Sequence, residues 1–217
     1  QEVLGEYGSL TQERVYNGFD KLASVRPVEL DQNRPVCWGI DFNVNPMCSI
    51  IAQRQGRSLD VIDEIVIENS STLEACREFR ARFGLPRGGL IIYGDASGNN
   101  RKTSGPTDYQ VIKTFFQDAG MTNVTYRVPR ANPEVRGRVE VVNGLLCNAA
   151  GERRMSIHPR CRELIRDFEE VHYKQGTHAV DKDRDPRRTH LSDALGYMVW
   201  QEFALKGGYG ERNQPLF

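Results

Sequence analysis

Three aspartates sit where an acid is out of place or where a chain turns. Asp41 interrupts the apolar run Cys37-Trp38-Gly39-Ile40-Asp41-Phe42-Asn43-Val44-Asn45-Pro46. Asp95 follows Leu90-Ile91-Ile92-Tyr93-Gly94, and Asp193 lies just after Thr189-His190-Leu191-Ser192. An ionised carboxylate among apolar neighbours costs several kcal/mol unless it is paired or holds a metal ion, so Asp41 in particular requires a partner. If the three converge, their hard oxygens suit Mg²⁺ or Mn²⁺ rather than zinc, which favours cysteine and histidine. Two such ions about 3.5–4 Å apart activate water and stabilise the leaving oxygen of a phosphodiester. His190, three residues before Asp193, is an additional ligand, a group orienting Asp193, or an ordinary first-turn histidine with no metal role. Asn43 shares a strand face with Asp41 and is placed to orient it, and Ser97 stands beside Asp95 in the same supporting position. Each acid also has an ordinary alternative: Asp41 an Asx-turn, Asp95 a turn cap, Asp193 a charge complementing a helix N-terminus.

The elements that must position these residues follow from patterning. Val36–Val44, Met47–Arg54 and Ser58–Ile67 read as strands joined by Asn45-Pro46 and Gln55-Gly56-Arg57, connections short enough for an antiparallel meander. On the third strand Asp60, Asp63 and Glu64 are expected to face solvent. Ser71 with Glu74, and Thr107 with Gln110, have capping-box spacing and open two helices that stop at Gly84 and Gly120. Leu90–Tyr93 is a continuous apolar run of the kind found in a buried parallel strand, and Val124–Val128 is another short strand. Asn132-Pro133 predicts an N-cap and first helical residue, Pro159–Glu170 a further helix, and Val171–Val180 a hairpin around Gln175-Gly176-Thr177. Thr189 is expected to cap a last helix, His190–Lys206. With Leu191, Ala194, Leu195, Met198 and Leu205 as its buried stripe, Asp193 points roughly 160° from the stripe's centre. Successive strand-loop-helix units imply parallel strands with crossover helices, hence an α/β fold with a mixed sheet.

The 217 residues fit one domain at 34–206, preceded by an arm or linker at 1–33 and followed by a tail at 207–217. With no long apolar run and no basic-then-apolar N-terminus, neither a membrane span nor a signal peptide is expected, and a cytosolic protein is. The five cysteines are widely spaced, without a C-x-x-C pair, and read as reduced, mostly buried thiols. Lys+Arg and Asp+Glu balance at 29 each, which argues against a surface that binds nucleic acid all over. Between Arg127 and Arg166, however, arginine without lysine gives a basic segment suited to bidentate phosphate contact, or else to ion pairs on solvated helix faces.

An aspartate on the first strand of a meander, a second at the end of a parallel strand and a third on a C-terminal helix resembles the RNase H-like, or retroviral-integrase-like, nucleases. Within them, Gly39-Ile40-Asp41-Phe42-Asn43, Tyr93-Gly94-Asp95-Ala96-Ser97-Gly98 and Thr189-His190-Leu191-Ser192-Asp193-Ala194-Leu195-Gly196-Tyr197 look like the nuclease-domain motifs of tailed-bacteriophage terminase large subunits, over about residues 36–200. Tyr16-Asn17-Gly18-Phe19-Asp20 looks like the segment joining such domains to their ATPase domains. The resemblance implies an endonuclease that cuts concatemeric double-stranded DNA during genome packaging. Asp41, Asp95 and Asp193 would be its metal-binding carboxylates and His190 an auxiliary position. It implies as partners double-stranded DNA, the ATPase domain, the small terminase subunit and the portal protein, in the host cytoplasm and transiently at the procapsid. The chain has no G-x-x-x-x-G-K-[ST] loop, so it is expected to be the nuclease part alone, without ATP hydrolysis.

DNA contacts are expected from Arg101 and Lys102 in the loop after Asp95. Others are expected from the hairpin bearing His172, Lys174 and His178, and from the loop bearing Lys182, Arg184, Arg187 and Arg188; the alternative for all of them is solvated charge. Two other functions stay open at this point. One is a different RNase H-like enzyme, a junction resolvase or transposase; the other is a DNA-gripping motor module with little catalysis.

Overall fold

The computed structural model describes residues 14–43, 45–100 and 105–204. Its elements in chain order are α1 (Lys21–Ser24), β1 (Val36–Asp41), β2 (Met47–Gln55), β3 (Ser58–Ile67), α2 (Thr72–Phe83), β4 (Leu90–Gly94), a 3₁₀ turn (Ala96–Asn99), α3 (Asp108–Asp118), β5 (Val124–Tyr126), α4 (Val135–Leu146), β6 (Met155–Ile157), α5 (Arg162–Glu170) and α6 (His190–Phe203). The strands form one sheet in the order β5-β4-β1-β2-β3-β6. The β1-β2-β3 meander is antiparallel, whereas β4 runs parallel to β1, β5 to β4 and β6 to β3. This is the mixed sheet, flanked by helices, that the patterning predicts.

Alternation along β1 sorts its neighbours onto two faces. Val36, Trp38 and Ile40 join α2 and α3 in one core, where Trp38 packs on Phe79 with ring centroids 4.6 Å apart. Cys37 faces the other core, built from α4, α5 and α6. Period-2 alternation places Gly39 and Asp41 on that same side. Gly39 has no side chain because none would fit: a Cβ there would lie 2.7 Å from the Ala194 carbonyl oxygen of α6. The missing side chain lets the α6 backbone settle directly on β1, which brings the first turn of α6 to the end of that strand.

Both predicted capping boxes are present, Ser71 with Glu74 on α2 and Thr107 with Gln110 on α3. Other local expectations yield to tertiary contacts. Asn132 does not cap a helix; α4 starts at Val135, and the Asn132 side chain instead accepts a bond from Ala96 N at 2.7 Å, bracing the turn after Asp95. Thr189 makes no side-chain cap and has a positive φ of 81°. The start of α6 is held by Asp167 of α5, whose carboxylate accepts Ser192 N–H at 3.1 Å. Asp63 is buried beside Arg82 and Arg160 rather than facing solvent. Glu64 caps α5 from outside, accepting N–H bonds from Glu163 and Leu164 at 2.9 Å each. The three-residue strand β6 is not foreseen by the patterning, and Pro159 and Arg160 precede α5 rather than lie in it.

β1 ends at Asp41 rather than continuing through Phe42. Val44 and Leu205 lie outside the described residues. Instead of one stripe, α6 buries nearly its whole circumference from Leu191 to Val199, because α4 and α5 cover the side away from the sheet. The segment expected as an arm lies against this layer, with Val15, Tyr16 and Phe19 in the core and the Tyr16 ring 4.7 Å from that of Phe168. No helix among the described residues is long and apolar enough to cross a membrane.

Candidate active site

The parallel pairing of β1 with β4 runs from Val36 opposite Leu90 to Ile40 opposite Gly94. The next residues on the two strands are Asp41 and Asp95. They therefore stand side by side at neighbouring strand ends, where parallel strands are about 4.8 Å apart. Both are buried, at 7% and 8% exposure. Asp193 comes in from α6, one residue before the Ala194 carbonyl that rests on Gly39. A sheet edge supplies two acids and a helix start the third.

Each carboxylate has its own support. Asn43 donates from Nδ2 to Asp41 Oδ2 at 2.5 Å, and its Nδ2 is 3.0 Å from His190 Nδ1. His190 Nδ1 also lies 3.0 Å from Asp41 Oδ2, and Nε2 is 3.0 Å from the Pro186 carbonyl. A carbonyl only accepts, so Nε2 carries a proton. His190 thus braces Asp41, not Asp193 as its helical spacing suggests. Its Nδ1 would have to leave Asp41 before it could face an ion. Asp95 Oδ1 accepts from Ser97 Oγ at 2.7 Å and from Gly98 N at 3.2 Å, while Tyr109 donates its hydroxyl to the Asp95 carbonyl at 2.8 Å. Asp193 Oδ1 accepts from Arg138 Nη1 at 3.0 Å, and Oδ2 from Lys182 Nζ at 2.7 Å.

The neighbouring charges act on Asp41. Burial pushes the Asp41 carboxyl above the usual carboxylate range, and the charges of Asp193 and Asp95 push it further against the lowering bond from His190. His190 is in turn raised, first by its bond to Asp41. The Tyr197 hydroxyl, raised chiefly by burial, lies within the field of Asp193, Asp95 and Asp41 together. Among the described residues, no three acidic, histidine or cysteine side chains are as they stand close enough to hold one ion. Both oxygens of Asp193 are instead drawn onto Arg138 and Lys182.

The donor set still fits a hard divalent cation: it offers three carboxylates and one imidazole in a buried corner. A thiolate site is disfavoured. Cys48 of β2, the register partner of Asp41 on β1, is held as a neutral thiol first by burial and then by the Asp41 charge.

The expected DNA-contact residues divide. Arg101 and Lys102 lie outside the described residues. Lys182 reaches into the acidic site rather than its rim. Lys174 bonds Asp183 at 2.6 Å across the Tyr173–Val180 hairpin, and Arg184 is exposed on the following loop. Arg188 is not a surface contact at all, since it joins Glu163 at 2.7 Å and Asp167 at 3.6 Å inside the fold. Most arginines of the basic segment, among them Arg127, Arg136, Arg153, Arg154 and Arg166, are in ion pairs with neighbouring acids, which favours the solvated-pair alternative there.

A family model described as the terminase RNaseH-like domain matches residues 87–202, more than half of the chain. The chain belongs to the terminase RNaseH-like domain family. The matched stretch includes Asp95, Arg138, His190 and Asp193 and begins after Asp41. No curated protein matches the sequence. Among solved structures the fold is similar to the large terminase of the thermophilic bacteriophage D6E, with a TM-score of 0.61 at 16% identity over 88% of this chain and 45% of that one. It is similar as well to the P22 large terminase nuclease domain, with a TM-score of 0.59 at 14% identity over 86% of this chain and 89% of that one. The large terminase nuclease of thermophilic phage G20c gives 0.52 at 11% identity over 88% and 98%. The chain thus spans about half the length of the D6E protein and nearly all of the isolated nuclease domains. Its fold is that of a terminase large-subunit nuclease domain.

Proposed function

We propose that this terminase RNaseH-like domain is a Mg²⁺- or Mn²⁺-dependent endonuclease that cuts concatemeric double-stranded viral DNA during genome packaging. The observation that carries this reading is the register of β1 against β4, which sets Asp41 and Asp95 side by side, with Asp193 brought alongside over Gly39. Asp41, Asp95 and Asp193 would hold the metal. Bound divalent ions would supply polarisation of the scissile phosphate and a nucleophilic water at neutral pH. The chain's own residues do the rest by positioning. Asn43 and His190 fix the carboxylate of Asp41, Ser97 and the Gly98 N–H fix that of Asp95, and Arg138 fixes that of Asp193.

Lys174, Lys182 and Arg184, with Arg101 and Lys102, would meet DNA phosphates. Contacts of that kind position the duplex without reading its sequence. By family likeness the partners are the terminase ATPase domain, the small terminase subunit and the portal protein, with action in the host cytoplasm at the procapsid and no ATP hydrolysis by this domain. Plasmid cleavage tests the reading. Cutting is expected with Mg²⁺ or Mn²⁺ and is expected to vanish with chelator and in Asp95→Asn. Metal-independent cutting, or full activity of Asp95→Asn, would refute it, and a strong preference for branched over linear duplex would point to a junction resolvase.

A further inference from the structure

Asp193 is held by two cations of different kinds. Arg138 is buried, its side chain 5% exposed, with the guanidinium 4.2 Å from the Tyr197 ring centroid and Nη1 on both the carboxylate and, at 3.4 Å, the carbonyl of Asp193. Among the described residues its Nε has no hydrogen-bond partner, so the carboxylate of Asp193 is its principal compensation. Removing that carboxylate would leave an uncompensated buried charge, which is strongly destabilising. Lys182 is the opposite case. Its side chain is 51% exposed and sits on the loop before α6, and a half-exposed ammonium gives up an ion pair at little cost because water replaces the partner.

From this asymmetry we infer that Arg138 is a permanent positioning residue, which reserves Oδ1 of Asp193 and presents Oδ2, and that Lys182 is a displaceable counter-cation standing on Oδ2 where a divalent ion binds. The inference rests on the metal-dependent reading above. An ammonium 2.7 Å from Oδ2 and a divalent ion on the same oxygen repel each other strongly, so one must leave. The mobile, solvated partner leaves and the buried one stays. Lys182 therefore lowers the affinity of the empty site for metal, and once displaced it is a free ammonium at the mouth of the site.

Titration of the whole chain with Mn²⁺ alone, read by calorimetry and by loss of the free-ion EPR signal, tests both roles. Lys182→Met is expected to bind Mn²⁺ roughly three- to tenfold more tightly than wild type at low ionic strength. Arg138→Lys, which keeps the charge but not the planar fork, is expected to bind it several-fold more weakly while remaining folded by circular dichroism. Unchanged or weaker binding by Lys182→Met overturns the role of Lys182. Wild-type affinity in a folded Arg138→Lys overturns that of Arg138. Asp95→Asn separates the two levels of the account: if wild type binds Mn²⁺ and Asp95→Asn does not, a failure of either variant touches only this inference. If wild type and Lys182→Met both fail to bind millimolar Mn²⁺, this inference and the metal-dependent reading fall together.

Discussion

Asp41, the last residue of β1, and Asp95, the residue that follows β4, occupy facing positions on the two parallel chains, one residue beyond the pair Ile40–Gly94. Neither acid could be moved by one residue without turning its side chain to the opposite face of the sheet, where Tyr109 and Phe42 fill the space over Gly94. The position of the site is thus a property of the sheet, and its completion is a property of α6.

Gly39→Ala tests how α6 is seated. The added methyl would lie 2.7 Å from the Ala194 carbonyl oxygen, which is backbone and cannot swing away. We expect a loss of about 1–3 kcal/mol in urea unfolding, together with weaker Mn²⁺ binding as Asp193 shifts from the strand ends. Unaltered stability would show that α6 does not rest on Gly39.

Stability should depend on pH through Asp167. Burial raises its carboxyl from 3.8 to about 7, against the lowering bonds from Ser192 and the charge of Arg188. The folded state therefore holds a proton that the unfolded state has released. This contribution is fully present below pH 3.8 and is lost as pH rises to about 7, with a slope of at most about 1.4 kcal/mol per unit. Urea melts of wild type and Asp167→Asn across that window should diverge, with the variant showing the flatter dependence. Parallel profiles would contradict it.

Glu202 provides a contrast away from the site. Its carboxylate, 3% exposed, accepts from the Tyr93 hydroxyl and Arg54, each at 2.7 Å, and from Arg127, tying the end of α6 to β2, β4 and the chain after β5. Glu202→Ala should cost about 1–3 kcal/mol, chiefly because the buried Tyr93 hydroxyl loses its acceptor while water takes up the half-exposed Arg54 and Arg127, yet leave the Mn²⁺ affinity of the folded protein intact. Thermal denaturation and calorimetry on the same samples would separate the two effects.

Much of the scaffold was legible in the sequence because it is encoded locally. The meander follows from short connections between β-rich runs, and the starts of α2 and α3 follow from capping boxes that span four residues. Asp41 stands out in the sequence because it breaks an apolar run, whereas Asp95 and Asp193 stand at a strand end and in a helix's first turn, where an aspartate is ordinary. What was hidden depends on contacts distant in sequence. Arg138 meets Asp193 55 residues later, and Glu64 caps a helix 99 residues away. Gly39 looks like an interruption of a strand until the helix that needs its missing side chain is in place. His190 follows the same logic: helical spacing pairs it with Asp193, but the fold brings Asp41 within 3.0 Å and the pair forms there. β6, three residues long, has too few positions to show an alternation.

Anomalous diffraction from crystals soaked in Mn²⁺ tests most directly whether Asp41, Asp95 and Asp193 share divalent ions. The account predicts manganese peaks between the three carboxylates, with Lys182 withdrawn from Asp193 Oδ2 and Arg138 still on Oδ1. A site empty at millimolar Mn²⁺, or manganese bound elsewhere while Lys182 keeps its place, would contradict it.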